Sequence, residues 1–72
     1  MKIEYDPVHD LLNLEFLPDT AIEESIEIDG VILDYAKDKR IVAIEVLDVS
    51  KRTTQDPLHL LDVAIVRQSA GK

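Results

Sequence analysis

The chain has 72 residues, contains no cysteine and no tryptophan, and has only two glycines. Without cysteine it can form no disulfide and no zinc–thiolate site, and two isolated glycines cannot build a phosphate-binding loop. Its longest aliphatic run covers residues 63–66, far below the roughly 20 residues of a membrane-spanning helix. No basic start leads into an apolar stretch, so we expect no secretory signal, no membrane association, no cofactor and a cytoplasmic location.

Basic side chains are scarce. Lys and Arg number 8 against 15 Asp and Glu, which gives a net charge of −7. Residues 1–35 carry 10 acidic residues and a single base, Lys2, whereas residues 36–72 carry 5 acids and 7 bases. A surface of this sign repels phosphate backbones, so we expect no direct contact with nucleic acid.

The small size favours a partner. With 46% hydrophobic and 32% charged residues, the composition is typical of one globular domain spanning residues 1–72. Natural domains below roughly 70–80 residues commonly add disulfides, a metal or a second subunit, because their own core is small. Disulfides are impossible here, so we expect self-association, most simply as a homodimer.

Two turn signals define consecutive hairpins. Asp29-Gly30 lies between apolar residues and favours a two-residue type I′ turn, in which both positions have positive φ. This register places Ile28 opposite Val31, Ile26 opposite Leu33, Glu27 opposite Ile32 and Glu24 opposite Tyr35. Residues 37–40 then suit a four-residue loop. It predicts the pairs Ala36 with Ile41, Tyr35 with Val42, Leu33 with Ile44 and Val31 with Val46.

The remaining strands are predicted by alternation. Residues 2–5 form a short first strand, which turns at Asp6-Pro7 into a second strand containing Leu12, Leu14 and Phe16. A turn at Pro18-Asp19 precedes a third strand over residues 21–28. We therefore expect an α+β fold, in which an antiparallel meander of about five strands carries one C-terminal helix on its apolar face.

The helix is expected at residues 57–67. Asp56 can cap its N-terminus, Pro57 suits the first helical position, and Leu58, Leu61 and Ile65 recur at helical spacing. Residues 63–66 are rich in β-branched side chains, so a strand there is the alternative.

Two stretches resemble a known family. Residues 5–14 read Y-D-P-V-H-D-L-L-N-L, and residues 38–50 read D-K-R-I-V-A-I-E-V-L-D-V-S. They are similar to the Y-D-x-x-x-D-x-L-x-[LI] and D-x-x-x-I-V-G-I-E-I-L-D-A-S stretches of domain of unknown function family 2283. The resemblance covers residues 1 to about 52, leaving 53–72 as a helical tail, and implies a prokaryotic origin. Lys39 and Ala43 stand where the family usually has glycine.

Two acidic groups are candidate sites. Asp6, His9 and Asp10 fall within one turn, and carboxylates with an imidazole can bind a hard cation or act as acid and base. The structural alternative is that the two aspartates accept hydrogen bonds from turn N–H groups. Asp34 and Glu45 are diagonal neighbours in the predicted register and could share a proton or bind Ca²⁺. Ordinary solvated charges are the alternative there.

The reverse face of the sheet is the candidate interface. We expect aliphatic side chains among its charges, as at a protein–protein contact: Ile32, Ile41, Ala43 and Leu47.

The function favoured is an acidic protein-interaction module that self-associates. Some members of the family are similar to the acidic partners in predicted toxin–antitoxin pairs, which implies a small basic protein as a second partner. The alternative is a small metal- or carboxylate-dependent enzyme using Asp6, Asp10 and Glu45.

Overall fold

A computed structural model of the chain describes residues 1–53 and 64–67. Its framework is five short strands followed by one turn of 3-10 helix. In chain order these elements are β1 Lys2–Asp6, β2 Leu11–Glu15, β3 Glu24–Ile28, β4 Val31–Tyr35, β5 Ile41–Val46 and the 3-10 turn Val49–Lys51. No helix long and apolar enough to cross a membrane occurs in these two ranges.

The five strands form one antiparallel sheet in the order β1-β2-β5-β4-β3. The five antiparallel strands are confirmed, but the meander order is wrong, because β2 lies beside β5 rather than β3. Residues 16–23 connect β2 to the opposite edge, and β3 starts at Glu24 rather than at residue 21. A connection of this length can cross the end of a sheet, whereas a tight hairpin forces its two strands to be neighbours.

The β3–β4 hairpin confirms its predicted register, from Glu24 opposite Tyr35 to Ile28 opposite Val31. Asp29 has φ 51° and Gly30 has φ 81°, as a type I′ turn requires. The Arg52 guanidinium links this turn to the segment after β5. Its Nη2 donates to the Asp29 carbonyl of the turn, and its Nε donates to the Leu47 carbonyl at 2.8 Å.

The β4–β5 register is confirmed over most of its length, with Val31, Leu33 and Asp34 opposite Val46, Ile44 and Ala43. It shifts at a β-bulge beyond Asp34, so that Tyr35 lies opposite Ile41 and Val42 is the extra residue. The predicted pairs Tyr35–Val42 and Ala36–Ile41 are therefore wrong. The loop is also tighter than predicted, because the Ala36 N–H donates to the Arg40 carbonyl at 2.8 Å, and Lys39 adopts φ 75°.

Alternation along the strands gives the sheet two different faces. The apolar face carries a single charged strand residue, Glu24, beside twelve apolar or aromatic side chains: Ile3, Tyr5, Leu12, Leu14, Ile26, Ile28, Val31, Leu33, Tyr35, Ile41, Ile44 and Val46. The opposite, acidic face carries most of the charge: Lys2, Glu4, Asp6, Leu11, Asn13, Glu15, Ser25, Glu27, Ile32, Asp34, Ala43 and Glu45.

A cluster of buried apolar residues lies at the end of the sheet that the β2–β3 connection crosses. Ala36, Val42 and Ala43 are buried, and Leu17 of the connection packs against them. The N–H groups of Phe16 and Leu17 both donate to the Val42 carbonyl, at 2.8 and 3.1 Å. The bulge thus turns Val42 toward the acidic face and uses its carbonyl to hold the connection there.

The predicted C-terminal helix is not supported. Residues 64–67 lie in no helix and no strand and are exposed, with Ile65 at 78% and Val66 at 92%. Ile65 and Val66 are β-branched, which lowers helix propensity. Their exposure also means that no surface of the described chain buries them as it would bury the apolar side of a helix. The rest of the expected helix, and the beginning of the alternative strand, lie outside the described residues.

Candidate functional site

The acidic face forms a groove of about 760 Å³. Six acidic side chains line it: Glu4, Asp6, Glu15, Asp19, Asp34 and Glu45. None of the described residues that line it is Lys, Arg or His. The groove is therefore a concave surface of strongly negative potential.

Strand pairing builds the floor of this groove. Ser25, Asp34, Ala43 and Glu15 lie side by side across β3, β4, β5 and β2. Asp34 is only 2% exposed, and the Ser25 hydroxyl donates to its Oδ1 at 2.6 Å. Ala43 separates the carboxylates of Asp34 and Glu15 with a single methyl group, so the floor stays low between them.

Glu45 is the most perturbed acid of the groove. It lies diagonally next to Asp34 on the same face, as predicted from the register. A hydrogen bond with Asp34, partial burial and repulsion from the Asp34 charge together raise the Glu45 pKa from 4.5 to about 7. Glu45 therefore keeps its proton up to about neutral pH, where it can exchange this proton or give it up when a cation approaches.

The walls of the groove are partly apolar. Leu17 and Ile22 of the β2–β3 connection stand at one end, and Pro7 and Leu11 stand at the other. Thr20, between the two connection residues, lines the same wall. Apolar walls above an acidic floor suit a ligand with an aliphatic body and a cationic end.

Asp6 and His9 form a local turn structure. Asp6 Oδ1 accepts hydrogen bonds from the N–H groups of Val8 and His9, at 2.9 and 3.3 Å. Its Oδ2 lies 2.7 Å from His9 Nδ1. The His9 side chain, then its N–H group, lowers the Asp6 pKa. These contacts are those of the structural alternative, although Asp6 also lines the groove.

Asp10 serves a different contact. Its carboxylate accepts hydrogen bonds from the Tyr5 hydroxyl at 2.9 Å, the Ser50 hydroxyl at 2.5 Å and the Ser50 N–H at 3.1 Å. The Ser50 hydroxyl is the main reason that the Asp10 pKa is lowered. Asp10 therefore joins the β1–β2 turn to the segment after β5, and it does not line the groove with Asp6 and Glu45.

Metal binding receives no support from these acids. Within residues 1–53 and 64–67, no group of three or more carboxylate, imidazole or thiol side chains is arranged to hold a metal ion. Asp34 and Glu45 lie together, but Asp10 is occupied by Tyr5 and Ser50.

The four residues of the predicted interface do not form one patch. Ile32 and Leu47 are half-buried, and Ala43 is buried in the groove floor. Ile41 pairs with Tyr35 and so belongs to the apolar face, because the bulge at Val42 reverses its side. Whether any of the four contacts a partner stays a prediction.

Sequence reasoning missed the β2 half of the groove and its connecting wall. Asn13 pairs with Glu45, and Glu15 pairs with Ala43, but only because β2 lies beside β5. The alternation along β2 correctly placed Asn13 and Glu15 on one face. It did not indicate that β5 is the strand beside β2. Nothing in the spacing of Leu17 and Ile22 indicated that they form a wall.

Comparison with known proteins gives a family without an assigned role. The family described as "Protein of unknown function (DUF2283)" matches residues 2–50. An uncharacterised protein of Methanocaldococcus jannaschii, MJ0789, is 29% identical over all 72 residues. The chain spans about 61% of the length of that curated relative. No solved structure matches the chain significantly.

Proposed function

Because the chain belongs to a family of proteins of unknown function, DUF2283, we propose its role from its own geometry: it is a protein-interaction module whose acidic groove receives a basic segment of another protein. One observation carries the proposal. Six acidic side chains and no basic one surround a single groove on one face of the sheet, within the described residues.

The charge distribution supports a basic partner. A cleft lined by charge of one sign raises the local concentration of an oppositely charged molecule and speeds its association. The whole chain carries a net charge of −7, so the long-range field attracts the same partner that the groove accepts. A small basic protein, or a basic segment of a larger one, is the partner class that fits.

The apolar walls support Lys and Arg side chains rather than a simple inorganic cation. The aliphatic stem of either residue can pack on Leu17 or Ile22, while its charged end reaches the floor. Arg can also bind a carboxylate through two parallel hydrogen bonds. Once Glu45 has released its proton, the carboxylates of Asp34 and Glu45 can accept hydrogen bonds from the Arg or Lys side chain.

A labelled peptide tests the proposal. Fluorescence anisotropy should show that an acetylated, amidated peptide of alternating Arg and Ala binds the full chain at low salt. The affinity should fall steeply as NaCl is added, because surface charges are screened beyond about 10 Å at 0.1 M salt. A peptide of alternating Glu and Ala should not bind at any salt concentration.

Charge-matched variants locate the binding. Glu15→Gln removes one charge that lines the groove and should weaken binding about 3- to 5-fold, which corresponds to roughly 0.6–1 kcal/mol for one partly exposed ion pair. Glu27→Gln removes the same charge from β3, outside the lining residues, and should change binding much less. Equal effects of the two variants would mean that net charge alone attracts the peptide, and the groove would not be its site.

A further inference from the structure

The apolar face of the sheet is uncovered in the described part of the chain. Of its members, Ile26, Ile28 and Ile41 are 40%, 61% and 37% exposed. Not one large side chain is completely buried there or elsewhere among the described residues. A sheet whose one face is this apolar needs a second layer against it, since burial of that face supplies most of the stability of such a domain.

The described parts of the chain do not provide that layer. Residues 64–67 are exposed and lie in no helix or strand, and the β2–β3 connection packs on the opposite side, through Leu17 against Val42 and Ala43. We propose that a second copy of the chain covers the apolar face, so that two sheets pack face to face as a symmetric two-layer dimer.

The placement of the charges argues for a second copy. Two chains of net charge −7 repel each other, and the repulsion is weakest when their acidic faces point away from one another. Sheets packed face to face lie about 10 Å apart, so their outer faces are separated by about 20 Å. This exceeds the Debye length of about 8 Å at physiological ionic strength. The proposed arrangement also leaves both grooves open.

The same face argues against a charged partner. Glu24 is the single charged strand residue on the apolar face. It lies at one margin of that face, where its Oε1 is 3.9 Å from Lys39 Nζ. A basic or acidic protein would find almost no complementary charge there. A second copy matches it with the same apolar side chains, as a two-fold symmetric interface requires. Association through the apolar face leaves the groove on the acidic face free, whatever the groove binds.

Sedimentation velocity of the full chain over a range of micromolar concentrations tests the proposal. A dimer is expected, and a monomer at every concentration would overturn the proposal. Ile28→Glu should weaken the dimer on the order of tenfold or more, because it buries an unpaired charge in the interface. Ile28 is already 61% exposed in a single chain, so the variant is expected to fold, which circular dichroism checks.

Ile22→Glu is the matched control. Ile22 is 53% exposed but lines the groove on the other side of the sheet, so this variant should remain dimeric. If it dissociates as Ile28→Glu does, added charge rather than the apolar face controls association, and the proposal fails. If both variants remain dimeric, the copies associate elsewhere, for example through edge strands, and it also fails.

The absence of cysteine allows a direct mapping of the interface. Ile44→Cys places one thiol on the apolar face of the central strand β5, and Asn13→Cys places one on the acidic face of its neighbour β2. A short bifunctional maleimide should link two copies of the first variant and not of the second. Cross-linking of Asn13→Cys instead would assign the interface to the acidic face and overturn the proposal.

Discussion

Ionisation of Glu45 should destabilise the folded chain as the pH rises toward neutrality. Asp34, itself only 2% exposed, lies beside Glu45 and raises its pKa from 4.5 to about 7. Below pH 4.5 Glu45 is protonated in both the folded and unfolded states, and the stabilisation of the protonated folded form is complete. Between pH 4.5 and 7 the unfolded chain loses this proton first, so the free energy of unfolding falls.

The magnitude follows from the change in proton affinity. A rise of the Glu45 pKa from 4.5 to about 7 corresponds to at most about 3.4 kcal/mol, at 1.36 kcal/mol for each pKa unit. Glu45 is partly exposed, and solvent screening reduces the contribution to about 1–2 kcal/mol.

Urea unfolding of wild type and Glu45→Gln between pH 4 and 8, at one fixed protein concentration, measures the effect. Gln cannot ionise but can still donate a hydrogen bond to Asp34. The stability of Glu45→Gln relative to wild type should therefore rise by about 1–2 kcal/mol from pH 4 to pH 8. Glu27→Gln, on exposed β3, controls for the loss of one carboxylate. An unchanging difference between Glu45→Gln and wild type across this range would refute the reasoning.

Three further substitutions test the turns and the Asp10 contact by urea unfolding. Gly30→Ala should cost about 1–2 kcal/mol, because Gly30 has φ 81° and an added Cβ would meet the Arg52 guanidinium; no loss would mean that the turn rearranges freely. Lys39→Gly should gain about 1 kcal/mol, because Lys39 has φ 75° in a conformation that glycine adopts without strain; a destabilised variant would contradict this. Asp10→Ala should lower the free energy of unfolding through lost hydrogen bonds from Tyr5 and Ser50, and a neutral effect would show that water replaces them.

The sequence predicted those parts of the fold that depend on short turns. The Asp29-Gly30 turn specifies both the neighbour and the register of β3 and β4, because two residues leave the chain no other way to return. The position of β2 was not predictable in this way. Its eight-residue connection, residues 16–23, permits several neighbours, and the choice of β5 depends on packing across the whole sheet.

The bulge at Val42 limited the prediction of both faces. Alternation counted from a four-residue loop puts Ile41 on the acidic face, but one extra residue in β5 moves it to the apolar face. A bulge adds one residue to a strand without a partner, and a count of alternating positions does not include it. At position 39 the family usually has glycine, which adopts the left-handed conformation easily. Lys39 adopts that conformation although its own side chain does not favour it.

For the candidate site, the juxtaposition of Asp34 and Glu45 was predictable and the groove around them was not. The two carboxylates are diagonal neighbours in a register that the hairpin turns determine. The β2–β3 connection forms the wall of Leu17 and Ile22. Because it lets β2 lie beside β5, it also brings the acids of β1 and β2 to the same groove. The spacing of Asp6 and Asp10 predicted one shared cluster, but Asp10 binds Ser50, 40 residues later.

Methyl NMR of the isotope-labelled chain, titrated with the Arg–Ala peptide, tests the proposed role of the groove most directly. The account predicts that the largest shift changes occur at Ala43, Leu17 and Ile22, which line the groove, and that added salt reverses them. The methyl groups of Ile28 and Leu33, on the apolar face, should change little. Shift changes concentrated at Ile28 and Leu33, or none at Ala43, would contradict the assignment of the groove as the binding site.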